Sequence, residues 1–278
     1  MTSADGGDAA RAEAAQWWRT AICDIAPGRI GFRGHPIETL IGAVSFPEMI
    51  WLMLRGDRPS RAQAELLEAA LVASVDHGPQ APSIAMARMA VTCGLPLNGA
   101  MASAINALDD VHGGAGEQAL ALFQDAERRA EEGAAPDAAA REAIAAWTAE
   151  HGKYLPGLGH RFHPVDPRTA PLLGLVDAST TDGVVTGRIA AAARSIEAEL
   201  AQQRGRLIPL NIDGATAVIY GELGFPPPLC RGLFCLSRAV GILAHAWEQT
   251  GRGERNKGPL PRGFPILYEG PPTRRPVD

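Results

Sequence analysis

The sequence predicts an all-α fold, and three observations carry that expectation. Apolar residues recur at helical spacing in RAQAELLEAALVAS (Arg61 to Ser74), DAAAREAIAAWTAEH (Asp137 to His151) and TGRIAAAARSIEAELAQQ (Thr186 to Gln203). Short Gly/Pro segments such as DHGPQAPS, CGLPLNG, VHGGAGE, LPGLGH and LGFPPP separate one helix from the next. No run alternates apolar and polar residues in the way a strand requires. This punctuation places functional groups at helix junctions.

The N-terminus, MTSADGGDAARAEAAQ, has no cationic region followed by an apolar stretch, and no run approaches the roughly 18 apolar residues of a membrane span. A cytoplasmic protein without a membrane partner is the default expectation. Further along, QDAERRAEEGAAPDAAAREA is rich in Ala and charge, which suits a solvated helical hairpin and marks the start of a smaller subdomain. The C-terminal GRGERNKGPLPRGFPILYEGPPTRRPVD holds too much Pro and Gly for a long helix and is expected to run as an extended arm against a partner subunit.

With 278 residues, 46% of them hydrophobic and 21% charged, the chain has the composition of an ordinary globular protein of one or two domains. A net charge of −5 and a pI near 5.8 give no basic face for nucleic acid, so no nucleic-acid partner is expected. The four cysteines, Cys23, Cys93, Cys230 and Cys235, follow no CxxC or metal-ligand rhythm and read as buried thiols.

Four short segments set ionisable groups beside flexible backbone: Asp76-His77-Gly78, His112-Gly113-Gly114, Gly159-His160-Arg161 and Asn211-Ile212-Asp213-Gly214. Their spacing gives little support to a metal site. His160 and His163 are followed at once by Pro164, and there is no HExxH. No metal is expected. One carboxylate with two imidazoles instead suits proton abstraction beside a carbonyl, with a neutral imidazole donating to the enolate oxygen and a second imidazole polarising an electrophile. Arg168 and Arg238 would hold carboxylates bidentately.

These residues resemble the citrate synthase superfamily, which includes citrate and methylcitrate synthases and citryl-CoA lyases. GRIGFRGHPIETL with SFPEMIWLMLRGDRPS is similar to the family's N-terminal segment, and VDHGPQAPS to its substrate-histidine segment. VHGGAGEQAL, PGLGHRFHPVDPR, NIDGATAVIYGELGFP and GLFCLSRAVGILAHAWEQ then follow in the family's order. Between His160 and Arg168 the chain is one residue shorter than the common synthase pattern, and His163-Pro164 stand where a basic residue often touches CoA. DHGP and ERNKGPLP look more like the citryl-CoA lyase branch.

The resemblance implies roles residue by residue. His112 would stabilise the enol of the acetyl thioester, Asp213 would take its α-proton, and His160 would polarise the keto oxygen of oxaloacetate. His77, Arg168 and Arg238 would bind oxaloacetate or citryl carboxylates, with a tail arginine, Arg255 or Arg262, reaching a neighbouring subunit's site. The loop of Leu155, Gly157, Gly159 and Arg161 would contact CoA, which is a substrate rather than a resident cofactor. The implied protein is a homodimer with a large helical domain (1–114 and 217–278) and a smaller mobile helical domain (115–216). Its implied reaction joins or separates acetyl-CoA and oxaloacetate through citryl-CoA, leaning to cleavage. Citrate or 2-methylcitrate synthesis is the alternative, and a non-catalytic CoA-thioester-binding relative is the further one.

Overall fold

A computed structural model describes residues 4–161, 163–258, 263–265 and 267–272. In chain order the elements are α1 (Ala4–Trp17), β1 (Cys23–Ala26), β2 (Arg29–Phe32), β3 (His35–Pro36), α2 (Ile37–Leu40), α3 (Phe46–Arg55), α4 (Arg61–Ala73), α5 (Pro82–Thr92) and α6 (Leu97–Ile105). They continue with α7 (Ala115–Glu131), α8 (Pro136–His151), α9 (Thr169–Thr181), α10 (Arg188–Arg204), α11 (Ile212–Glu222) and α12 (Pro227–Gly251). The fold is helical, as the sequence predicts.

One small antiparallel sheet, in the order β1-β2-β3, departs from the expectation of no strands. Its strands have four, four and two residues, too short for alternation to show. The turns hold it. Pro27-Gly28 close the pair Ala26↔Arg29, with Gly28 at φ 74, and Arg33-Gly34 close Phe32↔His35 with φ 50 and 83, the left-handed pair of a type I′ hairpin. Arg33 then donates Nε and Nη2 to the Met53 carbonyl at 3.1 and 2.7 Å, which ties the hairpin to the last turn of α3.

Residue contacts divide the chain into two units: Met1–Ala73 with Gly116–Cys230, and Ser74–Ala115 with Arg231–Asp278. This partition differs from the sequence division into 1–114 with 217–278 and 115–216. In the first unit α11 packs against α4, α9 and α10, so the N-terminal quarter of the chain clusters with α7 to α11 rather than apart from it. Helix α11 is enclosed on nearly every side, and Ile212, Ala215, Ala217, Val218, Ile219 and Tyr220 are all buried. Trp51 and Phe225 meet edge to face at 5.3 Å beside α3, and Arg55 donates to the Leu223 carbonyl.

The hairpin of α7 and α8 bears out its composition. Arg128 and Arg129 pair with Asp125, Glu132 and Glu142 on the outside, while Ala126, Ala139, Ala140 and Ala143 turn inward. In the second unit α5 and α6 pack together, and Ile84, Ala87, Ala100 and Ala104 form one cluster with Ile242 and Ala246 of α12. Among the described residues, α12 alone has the length and apolar composition of a membrane span, although 39% of its apolar window is buried within the protein. It also carries Arg238, which is buried. The expectation of four buried thiols holds only for Cys230; Cys23 and Cys235 are half-buried and Cys93 is exposed, because it closes α5 at the surface. Past Gly251 the described residues form neither helix nor strand, and the first of them bind back to α5: Asn256 and Lys257 donate their N–H groups to the carbonyl and hydroxyl of Thr92.

Candidate active-site residues

His112 stands in a tight turn just before α7, in the second unit, where Asp109 and His112 exchange backbone hydrogen bonds of 2.9 and 3.0 Å. Gly114 has no room for a side chain, since a Cβ there would lie 2.7 Å from the Asp110 Cα. Helix α5 begins with Ala81 as its N-cap and so lacks a side-chain acceptor for its first N–H groups. The imidazole supplies one: Nε2 of His112 accepts the Ser83 N–H at 3.1 Å and lies 2.9 Å from the Ser83 hydroxyl. With Nε2 an acceptor, the neutral ring carries its proton on Nδ1. Burial, followed by the positive charge of Arg238, lowers the pKa of His112 below its ordinary value.

Arg238 is buried in α12, donating Nε to the Ser74 carbonyl at 3.1 Å with its guanidinium over the Phe234 ring at 4.8 Å. His77 is exposed in the loop after Ser74. Arg255 is exposed as well, next to the segment bound to Thr92. Arg262 lies outside the described residues.

His160 and Asp213 belong to the first unit, and one asparagine joins the segments that bear them. Asn211 is the N-cap of α11: its Oδ1 accepts the N–H groups of Asp213 and Gly214 at 2.9 and 3.1 Å, while its Nδ2 donates to the Gly159 carbonyl at 2.6 Å. Asn211 N–H also donates to the Gly157 carbonyl and Gly159 N–H to the Pro209 carbonyl, at 3.0 and 2.8 Å. Two bare backbones make this approach feasible. A Cβ on Gly214 would sit 2.4 Å from the Gly157 oxygen, and one on Gly157, at φ 76, would sit 2.9 Å from the Gly214 Cα.

Nδ1 of His160 accepts the His163 N–H at 3.1 Å, so the neutral ring holds its proton on Nε2. Burial is the chief cause of a pKa below the ordinary value, opposed by Asp166 and aided by His163 and Arg168. Asp213, half-buried, occupies the first turn of α11.

Arg168 is clamped from behind. The Asp166 carboxylate, fully buried, accepts Nε and Nη2 of Arg168 at 2.9 and 2.8 Å and also the Arg168 and Ile212 N–H groups, both at 3.1 Å. These donors outweigh desolvation and hold the Asp166 pKa down at about 2. The bidentate grip fixes the plane of the guanidinium and ties it to the N-terminus of α11.

Beside the Gly157–Gly159 turn lies a groove of about 260 Å³, lined by Tyr154, Leu155, Leu158, Leu200 and Ile208 with the cations Lys153, Arg204 and Arg206. Leu155 thus falls in a concave surface, whereas Arg161 is exposed outside its lining. Among the described residues no three His, Cys, Asp or Glu side chains gather into a metal-binding group.

A family model described as citrate synthase, C-terminal domain, matches residues 53–262, which include His77, His112, His160, Arg168, Asp213 and Arg238. The chain belongs to the citrate synthase family. Its structure matches that of the citryl-CoA lyase from Hydrogenobacter thermophilus with a TM-score of 0.81 at 30% identity, over 93% of this chain and 96% of that one. A citrate synthase of Haloferax volcanii is 29% identical over 216 residues, 77% of this chain and 53% of the relative. A citrate synthase of Heyndrickxia coagulans is 29% identical over 252 residues, 85% of this chain and 59% of the relative. The chain therefore spans little more than half the length of these two citrate synthase family members and nearly all of the lyase.

Three supporting residues escape a motif-level reading of this citrate synthase family member. Ser83 meets His112 across 29 positions of sequence, so no local pattern reveals it. Asp166 lies within HPVDPR, two residues before Arg168, where sequence gives no sign of its burial, and Asn211 opens NIDG in the position an N-cap takes, a signal the capping rule could have found. Arg204 and Arg206 flank Gly205 just before that same segment.

Proposed function

We infer that the chain is an enzyme catalysing carbon–carbon chemistry between acetyl-CoA and oxaloacetate through citryl-CoA, in the direction of cleavage. One observation carries the reading: both histidines have one ring nitrogen occupied by a backbone N–H, so each is a neutral donor through a defined nitrogen, Nδ1 of His112 and Nε2 of His160. In cleavage, the bond between the citryl centre and the thioester methylene breaks. The citryl hydroxyl gives up its proton to solvent as its oxygen becomes the keto oxygen of oxaloacetate, held by the His160 Nε2–H. The electron pair of the breaking bond passes to the acetyl thioester, whose enolate oxygen is held by the His112 Nδ1–H, and Asp213, entering the step protonated, gives its proton to the α-carbon. Condensation runs the same steps backward, with Asp213 as base.

The groove of Leu155, Leu158, Leu200 and Ile208 suits the nucleotide end of CoA, an apolar floor for the base with Lys153, Arg204 and Arg206 for its phosphates. The bound Arg168 and Arg238 side chains suit the carboxylates of the oxaloacetate moiety. Similarity to the citryl-CoA lyase along nearly its whole length favours cleavage. The citrate synthases among the relatives favour a second reading, in which citryl-CoA is hydrolysed to citrate and CoA.

A homodimer accompanies this reading. Leu236, Val240, Leu243 and Trp247 are 48, 60, 41 and 67% exposed and recur at intervals of four, three and four residues, an unbroken apolar stripe along α12.

The deciding experiment supplies citryl-CoA to the purified protein and separates the products. Acetyl-CoA plus oxaloacetate establishes cleavage, citrate plus CoA establishes the synthase, and the absence of both products overturns catalysis and leaves a CoA-thioester binder.

A further inference from the structure

The loop that bears His77 is held by two residues with no role in the chemistry above. Asp76 turns its carboxylate back onto the loop. Its Oδ2 accepts the Gly78 N–H at 3.1 Å, and the same carboxylate accepts the N–H of His77 itself. Two consecutive backbone donors thus converge on one acceptor and fix the peptide from which the His77 side chain departs.

Helix α12 meets that carboxylate from the other side. His245 Nε2 lies 3.3 Å from Oδ2 and 3.3 Å from Oδ1 of Asp76, with the imidazole mostly buried. Nδ1 of His245 faces Glu248, at 3.9 Å. One turn earlier on the same face of the helix, Gly241 lets the loop come in: a Cβ there would stand 2.2 Å from the Val75 carbonyl oxygen and 3.1 Å from Asp76 Oδ1. A donor and a bare backbone, four residues apart, therefore meet at Asp76, with Gly241 also admitting the Val75 carbonyl.

We propose that His245 is a positioning residue for substrate: it donates Nε2–H to Asp76, and Asp76 in turn sets the backbone of His77. The inference rests on the reading of His77 as a ligand of oxaloacetate or citryl carboxylates. Glycine at position 241 and histidine at position 245 are then two parts of one device, which docks the substrate loop on α12 without touching substrate.

The test compares the wild type with His77→Ala, His245→Leu and His245→Gln. The apparent Kd for oxaloacetate is read from thermal stabilisation, and the unfolding temperature of each ligand-free protein is recorded alongside. Leu removes the donor at similar volume, and Gln returns an amide N–H close to the place of Nε2. The expected result is that Leu raises Kd about tenfold, Gln returns it to within about threefold of wild type, and the ligand-free unfolding temperatures of the two variants agree within a few degrees. If His77→Ala weakens binding and His245→Leu does not, the positioning role is overturned while the role of His77 stands. If His77→Ala leaves Kd unchanged, or the wild type is not stabilised by oxaloacetate, the reading of His77 fails and takes the inference with it. A Gln variant that binds no better than Leu also overturns it, since any side chain filling the space would then serve.

Discussion

Ser83 donates its backbone N–H to Nε2 of His112 across 3.1 Å, and this contact settles which side of the ring can act as a donor. The bond serves two ends at once. It satisfies an N–H at the start of α5 that Ala81 cannot cap, and it directs the imidazole proton to Nδ1.

An amide placed at either ring nitrogen tests this assignment. His112→Asn sets its NH₂ near the position of Nδ1, whereas His112→Gln sets it near Nε2. Turnover of citryl-CoA is expected to fall by about 10³ in the Gln variant and by at least tenfold less in the Asn variant, in line with the loss of one donor to a developing oxyanion. Steady-state kcat on both variants checks the order; equal losses would show that the side of the ring is immaterial.

Acid should silence the enzyme before it unfolds it. The pKa values of His112 and His160 are both lowered, so both rings are neutral at pH 7 and protonate only below the ordinary value of 6.5. The acid limb of the kcat profile is expected below pH 6.5. The same sign holds for stability: the unfolded chain binds these protons first, so each histidine costs stability as pH falls from 6.5 toward its folded pKa. A pH–rate profile with its acid limb above 6.5 contradicts the assignment.

Asp213→Asn removes the proposed base at almost constant shape. Its N–H still reaches Asn211, so the unfolding temperature should stay within a few degrees while kcat drops by about 10³. Proton exchange from the methyl group of acetyl-CoA, followed by NMR, isolates the step; undiminished exchange in the variant would assign the base elsewhere.

Asp166 gives a prediction of stability against pH. Its folded pKa of about 2 lies below the ordinary 3.8, so the carboxylate contributes stability that is fully present above 3.8 and is lost as pH falls through about 2. That contribution is about 2 kcal/mol, since a tenfold difference in proton affinity between the folded and unfolded chain is worth about 1.4 kcal/mol. Asp166→Asn should therefore be destabilised near neutrality and lose its dependence on this window in urea titrations. Because Arg168 is released at the same time, its apparent Kd for oxaloacetate should rise.

Val240→Glu, in the exposed stripe of α12, places a charge where two copies would bury an apolar side chain. The expected outcome is a monomer by sedimentation with the helical spectrum retained. A wild-type protein that sediments as a monomer at micromolar concentration removes the proposed dimer outright.

The three helices read from apolar spacing, over 61–74, 137–151 and 186–203, correspond to α4, α8 and α10, and the β hairpins were not legible, because strands of four residues and fewer leave no period to read. Motif residues such as His112, His160 and Asp213 were visible through the glycines and turn residues around them. What stayed hidden is what holds them: Ser83 and His245 act across 29 and 169 positions, and contact over such separations leaves no trace in local order. Asp166 was overlooked for another reason. Next to an arginine read as a substrate clamp, a carboxylate looks like solvated charge until its burial is known.

The double tie through Asn211 has a dynamic consequence. Since the Gly157–Gly159 turn and the first turn of α11 share their hydrogen bonds, neither can open without the other. Their amides at 159, 211, 213 and 214 should then exchange with solvent deuterium at one common rate, as a single cooperative unit. His160 and Asp213 would ride on that unit together, so a breathing motion large enough to displace the electrophile would displace the base as well.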